Sequence, residues 1–179
     1  DKYGNLNSTA IFGDGDYANP KTRLPGSGGA NDIACSANRT LIMMSQQKRR
    51  FLEKVDYITS PGYLDGPGCR EKYGYPGGGP AVIISNMAIF RFDEETKEAY
   101  LDSVHPGVSV DDVRNEVSWD LKVSPDVKST PPPTKREAET IRILDENKIY
   151  TGSGLKDLTF QAYMSMLENS HDKLKAMFA

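Results

Sequence analysis

The sequence predicts an α/β domain carrying a helical tail, and three observations predict it. Apolar runs of strand length recur between polar turns, at residues 40–44, 81–85, 88–92 and 98–104. Helix start signals lie among and after them: Asn31 or Asp32, then Ser109, then Thr134 with Glu137 three residues on. Finally, Pro131-Pro-Pro133 and Gly152-Ser-Gly154 interrupt regular structure, and the last stretch is again amphipathic.

Taken in order, residues 1–29 are polar and glycine-rich with little periodicity. They form no buried face of their own and are expected to lean on something upstream. Gly28 and Gly29 then stand at the mouth of a helix through Ile33 and Ala34, with Asn31 or Asp32 as its cap. Lacking a Cβ, these glycines let a ligand approach the main chain, where outward N–H groups suit a negative oxygen; a plain turn uses the same residues. Thr40-Leu-Ile-Met-Met44 and Val55-Asp-Tyr-Ile-Thr59 fit strands of a covered sheet, and the basic segment between them turns across the surface. Residues 81–85 read as a buried strand, and residues 88–92 and 98–104 as a hairpin around 93–97.

Ser109 can cap a helix with Val110, Val113 and Val117 on one side, Asp111 and Asp112 lying at its positive end. Residues 120–124 complete the strands. The capping box at Thr134 opens a helix over 135–146, with Ala138, Ile141 and Leu144 or Asp145 at helical spacing. Beyond the Gly-Ser-Gly break, Leu158, Ala162, Met166 and Leu174 mix with charges. The expected organisation is a main domain over residues 1–150 and an amphipathic helical tail over 151–179, which serves association.

Composition narrows the function. A net charge of −3 with both signs interspersed gives neither nucleic acid nor an anionic membrane as the main ligand. Cys35 and Cys69 are too few for a disulfide framework and match no zinc spacing. The most apolar stretch, residues 81–90, is broken by Ser85 and Asn86 and falls short of the roughly 20 residues that span a bilayer. The chain opens on Asp1 with no signal-peptide pattern, so a cytoplasmic protein beginning mid-sequence is expected.

Chemistry-bearing residues are sparse. His105 fits a Pro-Gly turn and His171 the tail, neither with a nucleophile or metal-ligand neighbour in sequence, so no metal site is expected. Gly13-Asp-Gly-Asp16 reads as a solvated turn, and Gly77-Gly-Gly-Pro80 as a tight connection. Cys35 reads as a small apolar residue. Lys48-Arg49-Arg50 suits either the phosphates of an extended cofactor or an exposed basic surface.

Eight segments together narrow this further: Asp1-Lys-Tyr-Gly-Asn-Leu-Asn-Ser-Thr9, Pro20-Lys-Thr-Arg-Leu-Pro-Gly-Ser-Gly-Gly-Ala-Asn-Asp-Ile-Ala34, Met43-Met-Ser-Gln-Gln-Lys-Arg-Arg-Phe51, Asp56-Tyr-Ile-Thr-Ser-Pro-Gly62, Leu64-Asp-Gly-Pro-Gly-Cys-Arg-Glu71, Ala81-Val-Ile-Ile-Ser-Asn86, Phe92-Asp-Glu-Glu-Thr-Lys97 and His105-Pro-Gly-Val-Ser-Val-Asp-Asp-Val-Arg114. In this order they resemble the family I CoA-transferases, of the glutaconate type and in the B-type subunit form, over residues 1 to about 123. The resemblance implies a three-layer α/β domain with a mostly parallel sheet. It implies CoA transfer between carboxylic acids, with CoA as substrate, no tightly bound cofactor, and an A-type subunit as partner in a hetero-oligomer. A glutamate would attack the acyl-CoA carbonyl, giving an anhydride and then a glutamyl-CoA thioester.

Gly28 and Gly29 would stabilise the oxyanions, and Asn31, Lys48 and Arg49 are candidates for holding CoA. The resemblance places the glutamate upstream of residues 1–9, and none of Glu53, Glu71, Glu94 or Glu95 lies in the matching motif. Relatives on this scaffold hydrolyse or decarboxylate CoA thioesters, which makes that chemistry the runner-up. A non-catalytic assembly or regulatory subunit is the third reading.

Overall fold

One row of apolar side chains crosses five strands and organises the molecule. The strands are β3 (Thr40–Met43), β4 (Pro80–Ile84), β5 (Ala88–Phe92), β6 (Ala99–Val104) and β7 (Val123–Ser129), adjacent in that order, while β1 (Ala10–Ile11) and β2 (Thr22–Arg23) form a separate antiparallel pair. Cross-strand register sets Ile42 beside Ile83, Ile83 beside Phe90, Phe90 beside Leu101 and Leu101 beside Val123. Side chains directly opposite on neighbouring strands share a face, so this row is one side of the sheet. It packs with Phe51, Val113, Val117 and Leu121 into the core. The row through Met43, Ile84 and Ile89 lies on the other face, where Met43 is 78% exposed.

The computed structural model describes residues 1–145 and 160–177. Two compact units divide the chain, Asp1–Pro131 and Pro132–Ala179. The first holds all seven strands with α1 (Ala30–Ser36), α2 (Cys69–Lys72) and α3 (Val110–Asn115). The second holds α4 (Lys135–Leu144) and α5 (Phe160–Met177). The Gly152-Ser-Gly154 break, Leu158 and the expected 150/151 boundary lie outside the described residues.

The α/β class stands, with a mixed sheet. The β3–β4 and β6–β7 pairings are parallel, while β4–β5 and β5–β6 are antiparallel. The short connections on either side of β5 impose this, because only a longer crossover can return a strand parallel. At the turn after β5, Asp93 Oδ1 accepts from the Thr96 N–H at 2.7 Å and the Thr96 hydroxyl at 2.9 Å. These bonds, with a further one from the Glu95 N–H, hold its carboxyl below the usual range.

The Ser109 cap and the Thr134 capping box form as expected, and Ser109 is also part of a capping box. Ser109 accepts from the Asp112 N–H while the Asp112 carboxylate accepts from the Ser109 N–H, and Thr134 and Glu137 repeat the pattern at α4. The cap of α1 differs. Gly29 is its N-cap, without a side-chain cap, and Asn31 and Asp32 lie inside the helix.

Two strand expectations shift. Residues 55–59 form no strand: the N–H groups of Thr59 and Ser60 both donate to the Leu6 carbonyl, leaving a single bridge between Leu6 and Ser60. The last strand runs over Val123–Ser129 instead of 120–124, because Leu121 is drawn into the core. Pro125 is tolerated there, since β7 is a sheet edge where a missing N–H costs no ladder bond.

The opening segment leans on residues that follow it. Asn5, 1% exposed, accepts from the N–H groups of Gly62 and Leu64 and donates to the Leu64 carbonyl. A Cβ on Gly62 would run into the backbone of Tyr3 and Gly4, so glycine is required by close approach. Lys2 is fastened at β6, its Nζ lying 3.0 Å from Glu98 Oε1 and 3.2 Å from Glu53 Oε1, while Lys122 reaches Glu98 Oε2 at 3.2 Å.

The Lys2 hydrogen bond, followed by that from Lys122, holds the Glu98 carboxyl below the ordinary glutamate range. A carboxyl depressed by folding adds stability that is present above its unfolded pKa and is lost as pH falls through the folded one. Glu98→Gln is therefore expected to melt lower than the parent at neutral pH, with the gap closing in the acid range as the parent's carboxylate protonates. Thermal melts of both proteins across pH check this, and a gap independent of pH would refute it.

Candidate functional site

The Gly28-Gly29 turn is open. Gly28 adopts φ +52°, which favours glycine, whereas Gly29 sits at φ −81° and ψ −2°, where any residue is allowed. A Cβ built on either would meet nothing within 4 Å among the described residues. Neither backbone nor packing among them demands glycine at position 29. Among the described residues, no acceptor lies against the N–H of Gly28 or Gly29, while the Ala30 N–H closes the turn onto the Ser27 carbonyl at 3.0 Å.

Helix α1 behind this turn is fastened at both ends. Asn31 Nδ2 donates to the Thr59 carbonyl at 2.5 Å, and Asn31 Oδ1 accepts from the Cys35 thiol at 3.7 Å. At the far end stands Arg70, 4% exposed, a residue whose role is not legible in its own segment of sequence. Its Nε donates to the Gly77 carbonyl at 3.1 Å. One terminal nitrogen donates to Gly62 at 2.9 Å and Pro61 at 3.4 Å, the other to Ala34 at 3.0 Å and Cys35 at 3.2 Å. A guanidinium carries five N–H donors, and each here has a backbone carbonyl.

The carbonyls of Ala34 and Cys35 belong to the last turn of α1, whose partial negative charge favours a cation. The Tyr75 ring, 5.2 Å from the Arg70 guanidinium carbon, adds a cation–π contact. Burial keeps water from weakening these bonds. The guanidinium thereby joins α1, the segment at 61–62 and the Gly77 loop.

Lys48 and Arg49 lie on an exposed turn after β3. The Lys48 N–H donates to Glu116 Oε2 at 2.8 Å and Arg49 Nε to Gln47 Oε1 at 3.0 Å, leaving the ammonium and the guanidinium terminus at the surface. Among the described residues, no hydrogen bond or ion pair joins these two side chains to Gly28, Gly29 or Asn31. His105 sits in its turn with the Val108 N–H on its carbonyl, and its ring bridges the Thr130 hydroxyl at 2.8 Å and the Ser85 carbonyl at 3.0 Å. No helix among the described residues is long and apolar enough to cross a membrane.

A family model described as Coenzyme A transferase matches residues 1–116, which include the open turn, α1, Arg70 and the basic turn. The chain belongs to the coenzyme A transferase family. It is 51% identical over 133 residues to the B-type subunit of glutaconate CoA-transferase from Acidaminococcus fermentans, covering 74% of this chain and 48% of that one. Identity to the B-type subunit of 3-oxoadipate CoA-transferase from Pseudomonas knackmussii is 41% over 145 residues, covering 81% of this chain and 55% of that one. In structure, this transferase-family chain superposes on the glutaconate coenzyme A-transferase of Acidaminococcus fermentans with a TM-score of 0.76 at 44% identity, covering 85% of this chain and 57% of that chain. It spans about half the length of the curated relatives it matches.

Proposed function

We propose that this chain forms one wall of the acyl-CoA site of a cytoplasmic CoA-transferase that moves CoA between carboxylic acids of the glutaconate type, an A-type subunit forming the opposite wall. The observation that carries the reading is the open Gly28-Gly29 turn, whose N–H groups meet no acceptor among the described residues of a chain 51% identical to the B-type subunit of a CoA-transferase. A carboxylate supplied from outside these 179 residues attacks the thioester carbonyl carbon, the C–S bond breaks, and CoA leaves as thiolate. The thiolate then attacks the enzyme's acyl carbon, releasing the first acid and leaving an enzyme thioester; the acceptor carboxylate reverses the two steps. Negative charge develops on a carbonyl oxygen in each addition, and we assign the Gly28 and Gly29 N–H groups to receive it.

The test is an exchange assay on the enzyme assembled from this chain joined to the segment that carries the carboxylate and an A-type subunit, given an acyl-CoA and a second dicarboxylic acid. Appearance of the second acid's CoA thioester, with little free CoA, is expected. Free CoA without a new thioester indicates an acyl-CoA hydrolase instead, CO2 with a shortened acyl-CoA and no free CoA indicates a decarboxylase, and absence of acyl-CoA binding indicates an assembly subunit.

Lys48 and Arg49 are assigned to the CoA phosphates. Replacing both by glutamate turns attraction into repulsion, so CoA affinity is expected to fall about tenfold or more at low salt, with a smaller loss at high salt because exposed charges are screened. Selection among acyl groups should stay as it was. Calorimetric titration of CoA and of CoA lacking the ribose 3′-phosphate measures this, and unchanged affinity for both ligands would assign the turn to solvent alone. Asn31 stands apart from this set because its amide is already engaged.

A further inference from the structure

The bonds around Asn31 close a ring. Its Nδ2 holds the carbonyl of Thr59, a residue only 6% exposed. The Thr59 hydroxyl accepts from the Ser8 N–H at 2.9 Å and lies 2.8 Å from the Thr9 hydroxyl. The Ser8 carbonyl accepts from the Gly26 N–H at 2.7 Å, and the Thr9 carbonyl from the Leu24 N–H at 2.8 Å. Hydrogen bonds therefore run from Gly26, just before the Gly28-Gly29 turn, through Ser8 and Thr59 to Asn31, just after it. Both flanks of the turn are tied to the same buried threonine.

Glycine pairs are conformationally soft, so the direction of their N–H groups must be set from outside the pair. Here the ring is the device that sets it. Donors aimed in advance at a developing oxyanion stabilise the transition state without reorganising during the reaction. A CoA contact by the same amide would have to compete with the Thr59 carbonyl.

We infer that Asn31 is a positioning residue, which closes the hydrogen-bonded ring that aims the Gly28 and Gly29 N–H groups, and is not a ligand of CoA. This rests on the oxyanion role given to the turn above. It accounts for an asparagine inside the first turn of α1, where its side chain serves a neighbouring segment instead of capping its own helix.

The experiment compares Asn31→Ala, Asn31→Asp and Thr59→Val in the assembled enzyme. Alanine suits a helix, aspartate suits a first helical turn, and valine keeps threonine's shape while breaking the ring away from residue 31. In all three, kcat is expected to fall about tenfold or more, while the KM for acyl-CoA and the Kd for CoA stay within about twofold of the parent. Hydrogen exchange at the amides of residues 27–30 should quicken in each variant. A raised KM with kcat retained in the Asn31 variants would make Asn31 a CoA ligand and overturn the inference. So would unchanged kcat and unchanged exchange in Thr59→Val. If the parent complex transfers no CoA, the oxyanion reading fails on that result, and the exchange comparison still decides whether the ring holds the turn.

Discussion

Gly29→Val in the assembled enzyme is expected to lower turnover about a hundredfold or more, the scale seen when an oxyanion donor is lost. The reason lies in what the fold leaves free. Gly29 has a right-handed backbone and its missing Cβ faces no atom of the described residues within 4 Å, so among them valine adds neither strain nor a clash. On the proposed oxyanion role, its branched side chain would enter the space through which a thioester oxygen must reach the turn. Gly28 would be a poorer place to ask, because φ +52° makes any substitution there a backbone perturbation as well. Gly29→Ala should fall between parent and valine. Steady-state kinetics alongside a thermal melt check the expectation, and near-normal turnover in a well-folded Gly29→Val enzyme would leave the turn a purely structural role.

Arg70→Met is expected to cost about 3–5 kcal/mol of stability, and to lower the melting temperature by about 10 °C. Methionine replaces much of the apolar stem, so what is lost is the set of donors. The carbonyls of Ala34, Cys35, Pro61, Gly62 and Gly77 are left without them where water enters poorly. Lysine should recover only part of the loss, since an ammonium has three donors at one point and cannot span five carbonyls. A melt of Arg70→Met within about 2 °C of the parent would show the hub to be dispensable.

Arg70 also shows why part of the site stayed illegible in the sequence. In Leu64-Asp-Gly-Pro-Gly-Cys-Arg-Glu71 it looks like an ordinary charge in a turn-rich segment, and such an arginine is by default an exposed one. Its environment is assembled from carbonyls as far as 36 residues away in the chain. Asn5 is similar: its partners at Gly62 and Leu64 lie 57 and 59 residues on. Neither spacing leaves a local pattern. One signal was available, since Gly62 and Gly77 mark close backbone approaches of the kind that surround a packed polar hub.

Features that depend on near neighbours or on motif order were legible from the residues alone. Strands β3 to β6, the 93–97 hairpin turn, the Ser109 cap, the Thr134 capping box and membership of the CoA-transferase family all belong here, because apolar alternation, cap chemistry and motif order are local to a few residues or linear along the chain. Long-range packing settled that Thr59 gives its backbone hydrogen bond to the opening segment instead of a sheet, and that β7 begins at Val123. It also decided that Asn31 looks back to Thr59, 28 residues away, instead of capping its helix or standing free. These outcomes are set by which backbone donors and acceptors must be satisfied once distant segments are buried together, and that condition arises only when the chain has folded.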